Sequence, residues 1–532
     1  MTADSQAPPK WTAPVLLLRT HRPRWRAAAL AGTAGALAAL LRLVRLGRSG
    51  DVFVDEIIYR DLGRSAASGE FPRTAQGPFF LHPPGFFYLE AGWGRLFGFR
   101  PDLIAGVDQF RMLNAMLAGG TAALLVLLVF RASGSLPVAG AVGAVFALDP
   151  FCIRQNDRVL METAVLFWVL AGYLVLLPLT GGEVPAKARL RAIFAGLLFG
   201  AAVLTKDEAA LVTILPLAVA ALSRWRPRRE PLVLSCVASA VPYGVYFAFV
   251  VAFHHFQDFK AAKSSGIARL LGETQPTGFN AHGAPSLTSR LLAEAPGYAT
   301  TYALLLIGPL GWLVIRRLGG PELRLLGLYY GSAFLALGYA LTVGTLEEQA
   351  LYLLYVPTLL IVGPAIRLWI RSREERHTVH WQRATAAVTA AALLCTATLY
   401  TTGRLHSDNG YAQLRAYLAA RVPPGSAITF VDGSTELGIS YWALRDRYRV
   451  GRWITPLDRA RYGVHYVVVP WKTISQGYSS LTSAQVRQLV APGRMLFSRQ
   501  GSTYGLLALY WLPLPRTTQP SGRPGSGGAH VR

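Results

Sequence analysis

Two acidic residues, Asp55 and Glu56, stand directly behind the first hydrophobic run of the chain, in Val54-Asp55-Glu56-Ile57-Ile58-Tyr59-Arg60. A carboxylate half-buried at a membrane boundary can act as general base toward a hydroxyl. Val54, Ile58, Leu62 and Ala66 recur at helical spacing, so the segment is expected to be an amphipathic helix lying along the interface. Tyr59, four residues after Asp55, shares a neighbouring face. The same place also suits a helix cap, because Asp is a common N-terminal residue. Further on comes Leu81-His82-Pro83-Pro84-Gly85-Phe86-Phe87-Tyr88. Proline starts helices, and Phe86, Leu89, Trp93 and Leu96 then share one apolar face, which predicts a second interfacial helix. His82 is placed either to donate to a phosphate oxygen or to cap a turn.

Three more charged groups lie where apolar runs meet polar loops. Asn156, Asp157, Arg158 and Glu162 open the fourth apolar run, where an ionisable residue is expensive and points to function. The helix dipole, which favours acids at an N-terminus, accounts for them equally well. Lys206, Asp207 and Glu208 sit between two runs with almost no loop, so the lysine is placed to meet a lipid-linked phosphate as a point charge. Glu347, Glu348, Gln349 and Tyr352 start a later run and are expected to bind acceptor or to line a water-filled vestibule.

The elements that must position these residues follow from composition. The chain has 532 residues, 52% hydrophobic and only 15% charged, against about 25% charged in a soluble domain. Its mean hydropathy is +0.33. The apolar residues fall in runs of about 17–25, the length that crosses a bilayer as a helix, and helices alone satisfy the backbone of such runs in lipid. Spans are predicted near 25–46, 108–130, 136–153, 159–179, 190–205, 208–223, 231–253, 299–316, 322–343, 350–370 and 382–402. With the N-terminus inside, the short cytoplasmic connections hold Arg131, Lys187, Arg189, Arg191, Arg224, Arg226, Arg228, Arg229, Arg316, Arg317, Arg371, Arg373 and Arg376, the positive-inside pattern. The net charge of +24 is therefore mainly topology rather than a nucleic-acid footprint. Arg42, Arg45 and Arg48 depart from it at the outer end of the first span, where they either snorkel to phosphates or mark a shorter span.

This reading divides the chain into a cytoplasmic tail (1–24), a membrane catalytic domain (25–403, with a first outer loop 47–107), an extracytoplasmic α/β domain (404–513) and a disordered tail (514–532). In the third part, Ala427–Val431 and Tyr466–Val469 are β-branched runs suited to buried strands, with helices expected over 436–444 and 483–489. Cys152, Cys236 and Cys395 are dispersed and give neither a disulfide framework nor a metal spacing.

Taken in order, the Asp-Glu pair after the first span, Ser68-Gly69-Glu70, the proline-started helix and Leu204-Thr205-Lys206 resemble the GT-C superfamily of polyprenyl-phosphate-dependent glycosyltransferases. The nearest branch is that of protein O-mannosyltransferases and the lipid A aminoarabinose transferase. The resemblance implies a GT-C α-helical membrane fold of about 11 spans, with Asp55 as catalytic base in the first outer loop. It also implies that His82-Pro83 stands for the family's Lys-Pro or His-Pro element, and Glu162 for its second acid, where the nearest relatives have Asp. Thr205-Lys206 matches the Thr-Lys hairpin, although relatives continue with Gly where this chain has Asp207.

The expected reaction moves a sugar from a polyprenyl phosphate to a hydroxyl on protein, lipid or polysaccharide, with inversion. Asp55, Glu56 and Glu162 are the expected catalytic residues, and Lys206, His82, Arg158 and Tyr59 the donor-binding ones. Glu347, Glu348 and Tyr352 fall on the acceptor side. A divalent ion, Mg or Mn, can be imagined where Asp55, Glu56 and Glu162 approach one another, but no spacing compels it. Two rivals stand beside the enzyme: a transporter or flippase, and a non-catalytic scaffold for envelope assembly. A transporter predicts charges near the midplane of broken, repeated helices, whereas the acids here gather at one interface and no repeat is visible.

Overall fold

The computed structural model describes residues 24–75, 77–181, 187–223, 228–274, 278, 285–372, 375–433 and 438–515. The expected tails, 1–24 and 514–532, lie almost entirely outside that set. Nine helices among the described residues are long and apolar enough to cross a membrane, from Trp25–Leu43 to one that begins at Val379. The remaining two expected spans are also apolar helices, but irregular ones. The third is the pair Leu136–Leu148 and Pro150–Asn156, bent by 61°. Pro150 lacks the N–H that would continue the first helix, and the Asp149 carboxylate caps the second through the Cys152 N–H at 2.9 Å. The sixth, Ala209–Leu222, is too short to qualify as a full span and is interrupted at Thr213.

The bundle closes around one apolar core in which Leu125, Phe146, Val169, Tyr173, Phe199, Tyr329 and Tyr355 are fully buried. Backbones approach closely where the first two spans cross. A Cβ on Gly35 would lie 2.8 Å from the Gly119 carbonyl oxygen, and one on Gly119 would meet Gly35 at the same distance, the small-residue contact that lets membrane helices pack. At one end, Arg131 and Glu322 form an ion pair between the second and ninth spans.

At the other end sits a polar assembly. The first interfacial helix, Val54–Ala66, and the second, Gly85–Phe97, are joined through a short hairpin of β1 (Arg73–Thr74) and β2 (Gly77–Pro78). A further helix, Phe256–Leu270, lies beside them with no buried residue of its own. The C-terminal part forms a five-stranded sheet of order β4-β3-β5-β7-β6, from β3 (Ala427–Phe430), β4 (Arg449–Gly451), β5 (Tyr466–Pro470), β6 (Arg494–Gly501) and β7 (Gly505–Trp511). β3 runs parallel to β4 and β5, whereas β7 pairs antiparallel with β5 and β6. The two expected helices are observed at Ile439–Leu444 and Ser483–Val490, the start of the first (434–437) lying outside the described residues.

This α/β part shares its core with the loop between the first two spans. Val52, Ile57, Leu62 and Phe86 pack in one cluster with Tyr411, Leu414, Ile428, Trp442 and Leu507. Polar ties reinforce the junction: Asp408 N–H donates to the Arg48 carbonyl at 2.7 Å, Tyr504 hydroxyl donates to the Val52 carbonyl at 2.6 Å, and Tyr411 N–H donates to the Asp51 carboxylate. The same junction explains the arginines that broke the charge pattern. Arg42 is fully buried, donating to Asn156 Oδ1 at 2.9 Å and to the carbonyls of Ala38, Ala147 and Phe146. Arg45 donates to the Leu405 carbonyl and the Ser407 hydroxyl. Their partners are protein groups, not lipid phosphates.

Candidate active site

The neighbouring acids Asp55 and Glu56 have opposite environments. The first interfacial helix starts at Val54, so Asp55 lies within its first turn rather than capping it. Glu56 does the capping, accepting from the Phe53 N–H at 2.8 Å. It also accepts from Arg111 Nε and Nη2, each at 2.7 Å, and from the Val159 N–H at 2.9 Å. With 0% exposure and four donors, Glu56 ties the helix to the second span and to the loop that leads to Glu162. Asp55 is turned away from this clamp. It is half-buried and makes no hydrogen bond or ion pair among the described residues. Burial, then the carboxylates of Glu347 and Glu162, push its pKa up to about 7 against the pull of Arg269 and Lys206. Such a carboxylate is poised to take a proton near neutrality.

The residues that flank Asp55 come from distant segments. Glu162, in the first turn of the fourth span, receives Lys206 Nζ at 2.7 Å, while Glu208 lies 3.1 Å from the same nitrogen. Burial works against the charge on Lys206, but Glu162 and Glu208 hold its pKa above the ordinary lysine value. Tyr59 packs edge-on against His82, with centroids 6.3 Å apart, and against Phe86 and Phe87. Burial and the nearby Asp55 keep its phenol protonated by raising its pKa well above 10. Burial, followed by Lys206, Lys263 and Arg269, lowers the His82 pKa well below 6.5. His82 is therefore a neutral imidazole here and offers one N–H rather than a positive charge. Gly85 makes this meeting possible, since a Cβ there would stand 2.7 Å from the Leu204 carbonyl oxygen.

Two cations of this site were not foreseen from the sequence. Helix Phe256–Leu270 brings Lys263 to Asp207 Oδ2 at 2.7 Å and to the Leu81 carbonyl at 3.1 Å, and it pairs Arg269 with Glu347. Asp207 also accepts from the Tyr243 hydroxyl at 2.8 Å. Lys263 and Arg269 lay within what reads as a long loop; the signal available was the helical spacing of Phe256, Phe259 and Lys263. The electrostatic neighbourhood of Asp55 thus includes Glu162, Glu347, Lys206 and Arg269.

Other expected residues gather elsewhere. Arg158 and Arg154 face Glu348 at 3.8 and 3.3 Å, Arg154 also donating to the Tyr298 hydroxyl at 2.7 Å. The Arg158 guanidinium lies 5.0 Å from the Phe53 ring centroid. These groups form a second polar cluster around Glu348. Tyr352 is inside the bundle with 0% exposure, its hydroxyl accepting from Asn156 Nδ2 at 2.6 Å; it lines no vestibule, because its helix turns it toward Arg42 and Asn156. The acids imagined around a metal do not converge either, since both Glu56 oxygens are committed to Arg111 and backbone N–H groups. Among the described residues, no group of three or more His, Cys, Asp or Glu is arranged to hold a metal ion.

The family described as dolichyl-phosphate-mannose-protein mannosyltransferase matches residues 82–257. That segment starts at His82 and includes Arg158, Glu162 and Lys206, but neither Asp55 nor Glu56. No curated protein sequence matches the chain as a relative. Among solved structures, ArnT from Cupriavidus metallidurans, bound to undecaprenyl phosphate, is similar with TM-score 0.56 and 14% identity, over 92% of this chain and 98% of ArnT. The Archaeoglobus fulgidus oligosaccharyltransferase, in complex with Zn and sulfate, is similar with TM-score 0.53 and 12% identity, over 91% of this chain and 73% of that one. The fold is that of the GT-C enzymes. The family match covers less than half of the chain, and the likeness to these two structures is one of fold.

Proposed function

We propose that the protein transfers a sugar from a polyprenyl-phosphate donor to an acceptor hydroxyl on the extracytoplasmic face of the membrane, inverting the anomeric carbon. The observation that carries this reading is the placement of one unpaired carboxylate, Asp55, with a pKa raised to about 7, among cations drawn from two other segments. Asp55 takes the proton as the acceptor oxygen forms its bond to the anomeric carbon. The bond from that carbon to the phosphate oxygen breaks on the opposite side, and its electron pair leaves with the lipid phosphate. Lys206, Lys263 and Arg269 face the charge that develops there, and the His82 N–H adds a neutral donor. Preorganised cations of this kind stabilise a transition state without reorganisation.

The remaining residues act through these. Glu162 holds Lys206, and Glu56 with Arg111 fixes the helix that presents Asp55. Tyr59, protonated and packed on His82, forms an uncharged wall beside the base. Undecaprenyl phosphate in the similar ArnT structure supports a lipid-linked donor. The test uses membranes supplied with undecaprenyl phosphate carrying radiolabelled mannose or arabinose. Label should leave the lipid, and NMR of the product should show the opposite anomeric configuration. Retained configuration, or no transfer from any lipid-linked sugar to any hydroxyl acceptor, would contradict the reading.

A further inference from the structure

Away from Asp55, a cleft of about 480 Å³ opens between the first interfacial helix, the entry to the second span and the short helix Ile439–Leu444. Its wall carries Tyr441 and Trp442 beside Arg60, Asp61, Arg445 and Asp446. We propose that this cleft binds a neutral saccharide, the portion of a glycan acceptor remote from the attacked hydroxyl. The proposal rests on the glycosyltransferase reading and names its acceptor class: a carbohydrate chain rather than a lone small alcohol.

Charge decides the ligand class. Arg445 reaches one Asp61 oxygen at 3.2 Å and Arg60 the other at 2.7 Å, while Arg415 grips both oxygens of Asp446 at 2.7 Å. The lining carries two arginines, Arg60 and Arg445, and two aspartates, Asp61 and Asp446, so it offers an anion no excess positive charge. Hydroxyl groups need none, because each carboxylate oxygen keeps a free acceptor site and each guanidinium has further N–H donors. Asp61 and Arg445 remain accessible, with side chains 32% and 29% exposed. The apolar component is aromatic. The Arg445 guanidinium stacks 3.7 Å from the Trp442 centroid, and the Tyr441 ring stands next to it, 5.6 Å from the same guanidinium. Trp442 is buried beneath Arg445, so the part-exposed Tyr441 ring is the aromatic face left to a ligand; an aromatic surface with a few convergent polar groups is the usual make-up of a small-ligand pocket, and it matches a sugar ring, whose C–H face is apolar and whose rim is hydroxyl.

Position supports the same assignment. Asp61 follows Asp55 by six residues on one helix, so helical periodicity sets the two on different flanks. A helix with its side chains is about 10–12 Å across, which places the cleft roughly one helix width from the base. A chain of several sugar units can cover such a span while its terminal hydroxyl is at Asp55.

The test measures binding without donor, so its outcome is independent of whether transfer through Asp55 occurs. The full-length protein in nanodiscs is titrated by isothermal calorimetry with neutral tetrasaccharides of mannose, glucose, galactose and arabinose, and with tetragalacturonate as the acidic control. At least one neutral tetrasaccharide should bind, at least tenfold more weakly to Tyr441→Ala and to Arg445→Gln, and unchanged to Tyr441→Phe, which keeps the ring. Absence of neutral-tetrasaccharide binding by the wild type, equal binding by the two disruptive variants, or preference for tetragalacturonate would each overturn the proposal.

Discussion

At the scale of single residues, Asp55 and Glu56 are adjacent in sequence and opposite in role. One step along a helix rotates a side chain by about 100°, which turns Glu56 into the protein toward Arg111 and leaves Asp55 half-buried on another flank. The pair was legible as a chemical motif; which of the two is free was not, because that depends on Arg111 and Val159, far away in sequence. Replacing Glu56 by Gln leaves Arg111 without its buried counter-charge, and breaking one side of a buried pair costs about 3–5 kcal/mol. Thermal unfolding in detergent should show a clear drop for Glu56→Gln and little change for Asp55→Asn. Asp55 also sets a pH dependence. With its pKa at about 7, the base form is lost as pH falls through neutrality, so kcat/KM should decline about tenfold per unit below pH 6 and level off above pH 8.

At the scale of elements, the helix Phe256–Leu270 carries the two unforeseen cations. It has no fully buried residue, and only Phe259 and Ala262 pack, part-buried, against Phe80 and Tyr246, so its apolar pattern is too sparse to mark a helix and it reads as loop. Arg269 lowers the Asp55 pKa and neutralises Glu347, so Arg269→Ala should raise that pKa and shift the acid limb of the pH profile to higher pH. The same variant and Lys263→Ala should raise the KM for lipid donor by about tenfold each, since a hydrogen bond to a charged group contributes about 1.5–3 kcal/mol. Donor titration at fixed acceptor concentration checks both. The spans show the same division between legible and hidden. Their locations follow from apolar runs, but the bend at Asp149-Pro150 and the shortness of Ala209–Leu222 depend on local caps and breaks. Tyr352 was misplaced for a similar reason: periodicity put it near Glu348 on the tenth span without showing that its face turns inward to Asn156.

At the scale of the whole molecule, the C-terminal α/β part is not an independent appendage. Strands β3 and β5 were visible as β-branched runs, whereas β4, β6 and β7 were not; nor was the shared cluster joining Val52 and Ile57 to Tyr411 and Leu507, because these residues are hundreds of positions apart in sequence. Truncating the chain after Gly403 would expose that apolar surface and remove the partners of Asp51 and Val52. The truncated protein should fail to give a monodisperse peak in size-exclusion chromatography, whereas a self-sufficient membrane domain would elute normally. The whole arrangement presents one base on one helix to a donor held by three other segments. The most direct test of that claim is sugar transfer from radiolabelled undecaprenyl-phosphate donors by wild type and by Asp55→Asn, with Asp55→Asn first shown to fold. Transfer by the wild type that falls by a factor of about 10²–10⁴ in the variant is the predicted result. Equal transfer by the two proteins would contradict it.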